Sequence, residues 1–365
     1  MIKVMDLVYY HHAEFSDPRD VIHKHAPSLG FASFIRPPLE FEFIKHMNFE
    51  GRLKDRDLRF AFFRGQNHFW YIPFKTHRYI KKVKPRIVIV EGLHFPLQLM
   101  FLRASLGRNT KIFVQHHGER PMRGIRGWFQ QKADRFVEAY FFTSVENAQE
   151  WLDRKIIRDN SKCRQLLEAS TGFYRHNKKK SLERTGLGGH PNFIWVGRLN
   201  RNKDPLTVLQ AFKKYGLTHP NARLYMIYHE DDLLVEVREM IRESITLEES
   251  VRLIGKIRHE ELMYWFSAAD FYLSGSHKEG SGYALLEAIA CGCIPVVTAI
   301  PSFKTIAGEH GFFYPPGDAD ALAETLDKLE KIHVEEYRNK MEDHFRSHLN
   351  YQSIARALSR LLVQI

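Results

Sequence analysis

Short, nearly unbroken apolar runs recur along this chain, and they constrain its fold more than any other feature. In the first half they are Arg86-Ile87-Val88-Ile89-Val90, Lys111-Ile112-Phe113-Val114 and Tyr140-Phe141-Phe142. In the second they are Phe193-Ile194-Trp195-Val196, Leu224-Tyr225-Met226-Ile227, Val251-Arg252-Leu253-Ile254, Phe271-Tyr272-Leu273 and Ile294-Pro295-Val296-Val297. Strands apolar on both sides must be covered on both faces, as in a parallel sheet clothed by helices. Helical patterns lie between the runs. Asp318 is placed to cap a helix with Leu322, Leu326 and Leu329 on one face, and Glu324 stands four residues before Lys328. Strand and helix in alternation predict an α/β protein with parallel sheets.

The chain has 365 residues, enough for two domains of ordinary size. The clearest break runs from Arg175 to Asn192, through Lys178-Lys179-Lys180 and then Gly186, Gly188, Gly189 and Pro191. The expected organisation is a first Rossmann-like domain over 1–178, a linker over 179–191 and a second Rossmann-like domain over 192–345. A C-terminal helical segment, 346–365, is expected to pack back on the first domain, with Ile354, Leu358 and Leu361 on one face. In open α/β sheets, ligands bind beyond the carboxyl ends of the strands.

Charge is unevenly distributed. Residues 1–180 carry 33 Lys and Arg against 18 Asp and Glu, a net +15, and the remaining 185 carry 21 against 25, a net −4. A basic half-chain attracts phosphates, nucleic acids or an anionic membrane surface. No zinc-finger spacing or RNP signature is present, so nucleic acid is not the expected partner. No apolar run approaches about 18 residues, so no spanning helix is expected. The first residues do not read as a secretory signal. Three cysteines, Cys163, Cys291 and Cys293, make neither a disulfide framework nor a metal site. The expected location is cytoplasmic, peripheral at the inner face of the membrane if the basic half is recruited there.

Two segments carry chemistry. The first is Ser274-Gly275-Ser276-His277-Lys278-Glu279-Gly280-Ser281-Gly282-Tyr283-Ala284-Leu285-Leu286-Glu287-Ala288, following a predicted strand. A glycine loop opening a helix exposes free backbone N–H groups and the positive end of the helix dipole, which suits a diphosphate. Glu287, a turn or so further, can accept two hydrogen bonds from a ribose diol. Read alone, the segment also fits a plain glycine turn before an amphipathic helix. The second is Gly197-Arg198-Leu199-Asn200-Arg201-Asn202-Lys203, at the carboxyl end of another strand. There Arg198 and Lys203 could neutralise a departing diphosphate. A simple glycosidase needs two carboxyl groups about 5–9.5 Å apart and has no use for such cations.

Together these segments resemble the retaining nucleotide-sugar glycosyltransferases of family 4, which have the GT-B fold. Glu279 and Glu287, with seven residues between them, match the family's E-x7-E. The pattern continues through Ala288, Gly292, Pro295-Val296-Val297, Gly311 and Pro316-Gly317-Asp318, and Gly255-Lys256-Ile257 matches the stretch beside the nucleotide base. The resemblance is specific over about 190–330 and weaker over 86–175. It implies that Arg198 and Lys203 bind the donor diphosphate with Gly197 and the amides near Ala284 and Leu285. Glu287 would hold the ribose, Glu279 the sugar hydroxyls with Gly280, Ser281, Gly282 and Tyr283 alongside, and Lys256 and Ile257 the base. Val114-Gln115-His116-His117-Gly118 resembles the family's strand-His-Gly segment. His117 is the first choice for the residue facing the sugar and His116 the second. Neighbouring strand residues point to opposite faces, so one of them alone should do so.

Three departures stand out. The Gly-Gly pair usual after the family's first strand is missing, since Leu7 to His12 leads straight into Ser16-Asp17-Pro18; Ser281 replaces an aromatic residue; Asp204 stands where Gly often follows the Lys. By the resemblance, the chain moves a hexose-type sugar from a UDP- or GDP-sugar to a hydroxyl of a glycan or lipid-linked acceptor, with retention, no metal and no further cofactor. Polysaccharide or glycoconjugate synthesis is the implied setting. The alternatives are another GT-B sugar-nucleotide enzyme, such as a non-hydrolysing 2-epimerase, and a non-catalytic sugar-nucleotide-binding protein.

Overall fold

A computed structural model describes residues 1–107 and 109–363 of the chain. It divides into two compact units, Met1–Ser170 with Tyr351–Ile365, and Thr171–Asn350.

The first unit is built on strands β1 (Ile2–His12), β2 (Leu39–Met47), β3 (Gly51–Asp55), β4 (Leu58–Phe63), β5 (Ile87–Glu91), β6 (Lys111–Gln115), β7 (Ala139–Phe142) and β8 (Cys163–Gln165). They form one sheet in the order β3-β4-β2-β1-β5-β6-β7-β8, parallel except for the β3–β4 hairpin. Both faces are covered. Ile80, Leu99, Leu102 and Ala133, from helices Phe74–Val83, Pro96–Leu106 and Gly124–Ala133, pack on one side. Val21, Leu29 and Phe31 pack on the other, with Ile354, Leu358 and Leu362 of helix Tyr351–Val363. That helix returns to this unit through its first residue as well. Tyr351 donates its hydroxyl to the Ser170 carbonyl at 3.1 Å, and its ring lies where a Cβ on Gly30 would fall, at 2.4 Å. Residues 364 and 365 of the expected C-terminal segment lie outside the described residues.

The second unit has β9 (Asn192–Gly197), β10 (Arg223–Tyr228), β11 (Val251–Gly255), β12 (Phe271–Ser274), β13 (Ile294–Thr298) and β14 (Phe312–Tyr314), all parallel, in the order β11-β10-β9-β12-β13-β14. Phe193 of β9 is paired with Phe271 of β12, and their rings stack at 5.1 Å. Such contacts are why these runs are apolar throughout rather than alternating.

The stretch 179–191, expected as a linker, is folded into the second unit. Lys178–Thr185 is helical, capped by Asn177 and closed by Gly186 at φ +69°, the left-handed conformation a helix end favours. Arg184 forks onto Glu261 at 2.9 and 2.7 Å, Lys178 pairs with buried Asp270, and the Gly188 N–H donates to the Tyr225 hydroxyl at 2.7 Å. Polar composition read as loose chain because these partners are distant in sequence.

Candidate functional site

In each unit the strand order reverses at one point, and the loops beyond the carboxyl ends of the flanking strands open a crevice there. In the second unit the reversal lies between β9 and β12. The loop after β9 is Arg198 to Asp204, and the loop after β12 is Gly275 to Gly282. The two motifs separated by some 76 residues of sequence are thus neighbours by topology.

The first loop is anchored by Leu199, fully buried, whose N–H donates to the Glu230 carbonyl at 2.9 Å and whose carbonyl accepts from Leu233 at 2.8 Å. Arg198 beside it is exposed, with Glu230 at 3.5 Å. Lys203 is half-buried, and its Nζ lies 2.5 Å from Glu279 Oε1. The loops are laced further by the His277 N–H to the Asn202 carbonyl at 2.8 Å and by Asn202 Nδ2 to the Lys278 carbonyl at 3.0 Å. Gly275 is needed at this approach, since a Cβ there would meet the Asp204 carbonyl at 2.7 Å. Asp204 itself takes the left-handed conformation, φ +43°, which explains a preference for Gly at this place. It caps the following helix through Thr207 and meets His277 at 3.0 Å.

Gly282, at φ +59°, opens helix Tyr283–Ala290. A Cβ there would come within 2.9 Å of Ile306. No side chain caps this helix. The first-turn amides near Ala284 and Leu285 have no partner within the helix and carry the positive end of its dipole. Glu279, Gly280 and Ser281 are half-buried in the approach to this turn, and Tyr283 is exposed at its mouth. One turn on, Glu287 is buried and holds His259 Nε2 at 2.6 Å. That hydrogen bond raises the His259 pKa above its usual value. His259 begins the helix after Lys256 and Ile257, which follow edge strand β11, so Glu287 is tied to the loop expected beside the base. Lys256 is exposed and Ile257 half-buried.

In the first unit the reversal lies between β1 and β5. Where the resemblance led us to miss a glycine pair, β1 runs on as strand to His12, and Asn67 brackets His11, accepting from its N–H at 2.6 Å and donating to its carbonyl at 2.8 Å. His117 follows β6 and is partly exposed, its side chain keeping 32% of its surface while carboxylates enclose the ring nitrogens. Its Nδ1 meets Glu168 and its Nε2 meets Glu91, so both ring nitrogens are spent on carboxylates. Burial disfavours the imidazolium, but Glu168 and Glu91 outweigh it and raise the His117 pKa well above the ordinary value. Glu91 shares a hydrogen bond with buried Asp6. Burial and the Glu91 charge push the Asp6 pKa well up, whereas His117 overcomes burial to hold Glu91 low. Glu119 fixes the turn, accepting from the His117 N–H at 2.6 Å and the Leu93 N–H at 2.7 Å.

His116, the second choice for a sugar contact, is corrected. Its ring is buried against Phe142 and Trp151 and hydrogen-bonds the Glu119 carbonyl at 3.0 Å. It turns inward because alternation sends neighbours to opposite sides, and a ring packed there cannot reach a ligand. Glu91, Glu168 and His259 were not anticipated. Glu91 ends an apolar strand, and neither Glu168 nor His259 sits in a motif.

Comparison with known proteins bears on this geometry. Residues 177–348 match the family described as glycosyl transferases group 1. The chain is 28% identical over 150 residues to the O-antigen chain mannosyltransferase B of Escherichia coli, covering 39% of this chain and 37% of that protein. It is 33% identical over 152 residues to the amylovoran biosynthesis glycosyltransferase AmsK of Erwinia amylovora, covering 38% and 37%. The matches therefore span about a third of those relatives' length. Among solved structures, Anabaena Alr3699/HepE in complex with UDP superposes with a TM-score of 0.72 over 100% of both chains, at 13% identity.

Proposed function

Because residues 177–348 belong to the glycosyl transferases group 1 and the fold is GT-B, we propose that this chain moves a hexose-type sugar from a UDP- or GDP-sugar to a hydroxyl of a glycan or lipid-linked acceptor, in polysaccharide or glycoconjugate synthesis. The observation that carries the reading is the meeting of Lys203 with Glu279 at the reversal point, beside a helix start that no side chain caps.

In this reading Arg198 and Lys203 neutralise the diphosphate, with the amides near Ala284 and Leu285. Glu287 takes the ribose hydroxyls and Lys256 and Ile257 flank the base. Glu279 binds the sugar with Gly280, Ser281, Gly282 and Tyr283 around it. Its contact with Lys203 sets the lysine between sugar and phosphate, where charge builds as the bond breaks. His117 supplies the first unit's contact to the sugar. With both nitrogens hydrogen-bonded to carboxylates it acts as a fixed cation and not as a base. The C1–O bond to the diphosphate breaks and a new C1–O bond to the acceptor oxygen forms on the same face. The acceptor proton passes to a leaving phosphate oxygen. Retention without a protein nucleophile or metal ion follows, since the two cations carry the leaving group's charge. The basic first half would draw the chain to an anionic membrane surface where a lipid-linked acceptor lies.

The test is a thermal-shift series with UDP, GDP, ADP and their sugars, followed by product analysis with an acceptor panel. Ligand binding raises the melting temperature by mass action, and the right base should stand out. Free nucleoside diphosphate with no sugar on any acceptor would favour the epimerase-like alternative. Binding without turnover would favour a sensor. No shift with any nucleotide would defeat the reading.

A further inference from the structure

We propose that one helical face of the first unit docks on an anionic lipid bilayer, inserting Trp70, Phe74, Phe101, Ile125 and Trp128 at headgroup depth. This gives the membrane contact in the proposed function a location, and it rests on that reading only for the acceptor's being at a membrane. The five side chains are 52, 66, 44, 63 and 49% exposed. Scattered apolar side chains need no explanation, but a contiguous group marks an interaction surface. These fall into two ring groups on neighbouring helices, with Ile125 one turn before Trp128. Phe74 meets Phe101 at 6.2 Å, and Trp70 and Trp128 both meet Phe129, at 5.9 and 5.0 Å. The group lies on helices Phe74–Val83, Pro96–Leu106 and Gly124–Ala133 and the segment leading into the first, all on the same side of the sheet.

Charge decides the occupant. The three helices carry Lys75, Arg78, Lys81, Lys82, Arg103, Arg126 and Lys132 and no Asp or Glu. Cations are interleaved with the rings, Lys132 over Trp128 at 5.1 Å and Arg126 over Phe69 at 5.1 Å. Beside Trp128 a cavity of about 280 Å³ is lined by Arg123 and by Arg154, whose guanidinium is held by Glu150 at 3.0 Å, so Arg123 is the cation it offers a headgroup phosphate. Glu50 pairs with Lys75 at 3.3 Å and Glu150 with Arg154 at 3.0 Å, but cations outnumber acids, and tryptophan, other rings and that excess match the chemistry of an anionic interface, where rings sit among headgroups and each cation adds attraction. A protein partner would be expected to meet a more evenly mixed rim instead. No helix among the described residues is long and apolar enough to cross a membrane, so the face lies on the bilayer.

The experiment is sedimentation of the full chain with phosphatidylcholine vesicles, with and without phosphatidylglycerol, read alongside tryptophan fluorescence. The wild type should co-sediment with the anionic vesicles and shift its emission to the blue. Phe74→Ser combined with Trp128→Ser, or Lys81→Glu combined with Lys82→Glu, should lower partitioning about tenfold or more. Leu217→Ser with Ile245→Ser, exposed apolar positions of the second unit, should change nothing. Melting temperature and nucleotide shift, measured on each variant, should stay at wild-type values. Failure of the wild type to bind anionic vesicles overturns the proposal, as does undiminished binding by both surface variants. Concentration-dependent dimerisation lost in the Phe74→Ser, Trp128→Ser variant, in place of vesicle binding, would assign the face to a second copy. Because nucleotide binding is read separately, loss of one reading leaves the other standing or falling on its own result.

Discussion

The two units solve the same topological problem with opposite chemistry. Each gathers its loops where strand order reverses. The second places short, exposed means there, namely Arg198, half-buried Lys203, glycines and an uncapped helix start. The first buries its charge instead. Asp6 and Lys45 are almost wholly enclosed, and His117 is clasped by Glu91 and Glu168. Glycines and cations on loops bind an anion with little reorganisation, whereas a buried network of titratable groups makes its unit sensitive to protons. Five histidines of the first unit, His12, His25, His46, His77 and His116, are pushed down by burial, His46 and His77 to about 4. In the second unit burial lowers His344, and the bond to Glu287 raises His259.

That contrast can be broken most forcefully at the cations. Lys203→Ala and Arg198→Ala should each lower kcat by about 10²–10³-fold, the scale of losing one preorganised charge-stabilising group. Lys203→Ala should cost more, since it also releases Glu279. Wild-type turnover in both would remove the second unit's loops from the chemistry.

A smaller effect sharpens the first unit's role. His117 is held charged, so its ion pairs stabilise fully below the ordinary histidine value of about 6.5. That contribution fades as pH rises through the raised folded value. Glu168→Gln should bring the fading to lower pH and lower the His117 pKa in an NMR titration. An unchanged His117 titration would mean that the carboxylate clasp does not set its charge.

The least dramatic test concerns acid. The lowered histidines stay neutral when folded but take up protons when unfolded. Stability is therefore lost as pH falls from about 6.5 towards the folded values, about 4 for His46 and His77. Limited proteolysis of the whole chain at pH 5 and pH 7.5, with an acid-tolerant protease and a neutral one calibrated on a common substrate, should show acid-enhanced cutting within residues 1–170 and little within 171–350. Equal enhancement in both would erase the distinction.

How much of this was legible beforehand differs by unit. Every strand expected in the second half is present, because buried parallel strands leave unbroken apolar runs. In the first half β2, β3, β4 and β8 were not singled out, nor was β14 in the second. Leu39–Met47 mixes charge into its run through Glu40, Glu42 and Lys45; tertiary packing encloses Lys45 and leaves the two glutamates half-buried. The two loops proposed to hold a diphosphate announced themselves because each is a short local motif. The partners of His117 and Glu287 did not. Glu91 and Glu168 stand 26 and 51 residues from His117, and His259 stands 28 from Glu287. A hydrogen bond over such separations leaves no local spacing to read.

The sequence by itself determined the class of fold and picked out the two loops, since apolar runs dictate coverage on both sheet faces and glycines beside cations form a short local pattern. Tertiary structure alone decided which of two adjacent histidines is exposed and which is packed against Phe142 and Trp151, and that the polar stretch after Arg175 is helix and not tether. The reason is physical. Periodicity records how a residue relates to its neighbours in the chain, whereas charge, exposure and pKa depend on groups that only folding brings within a few ångströms.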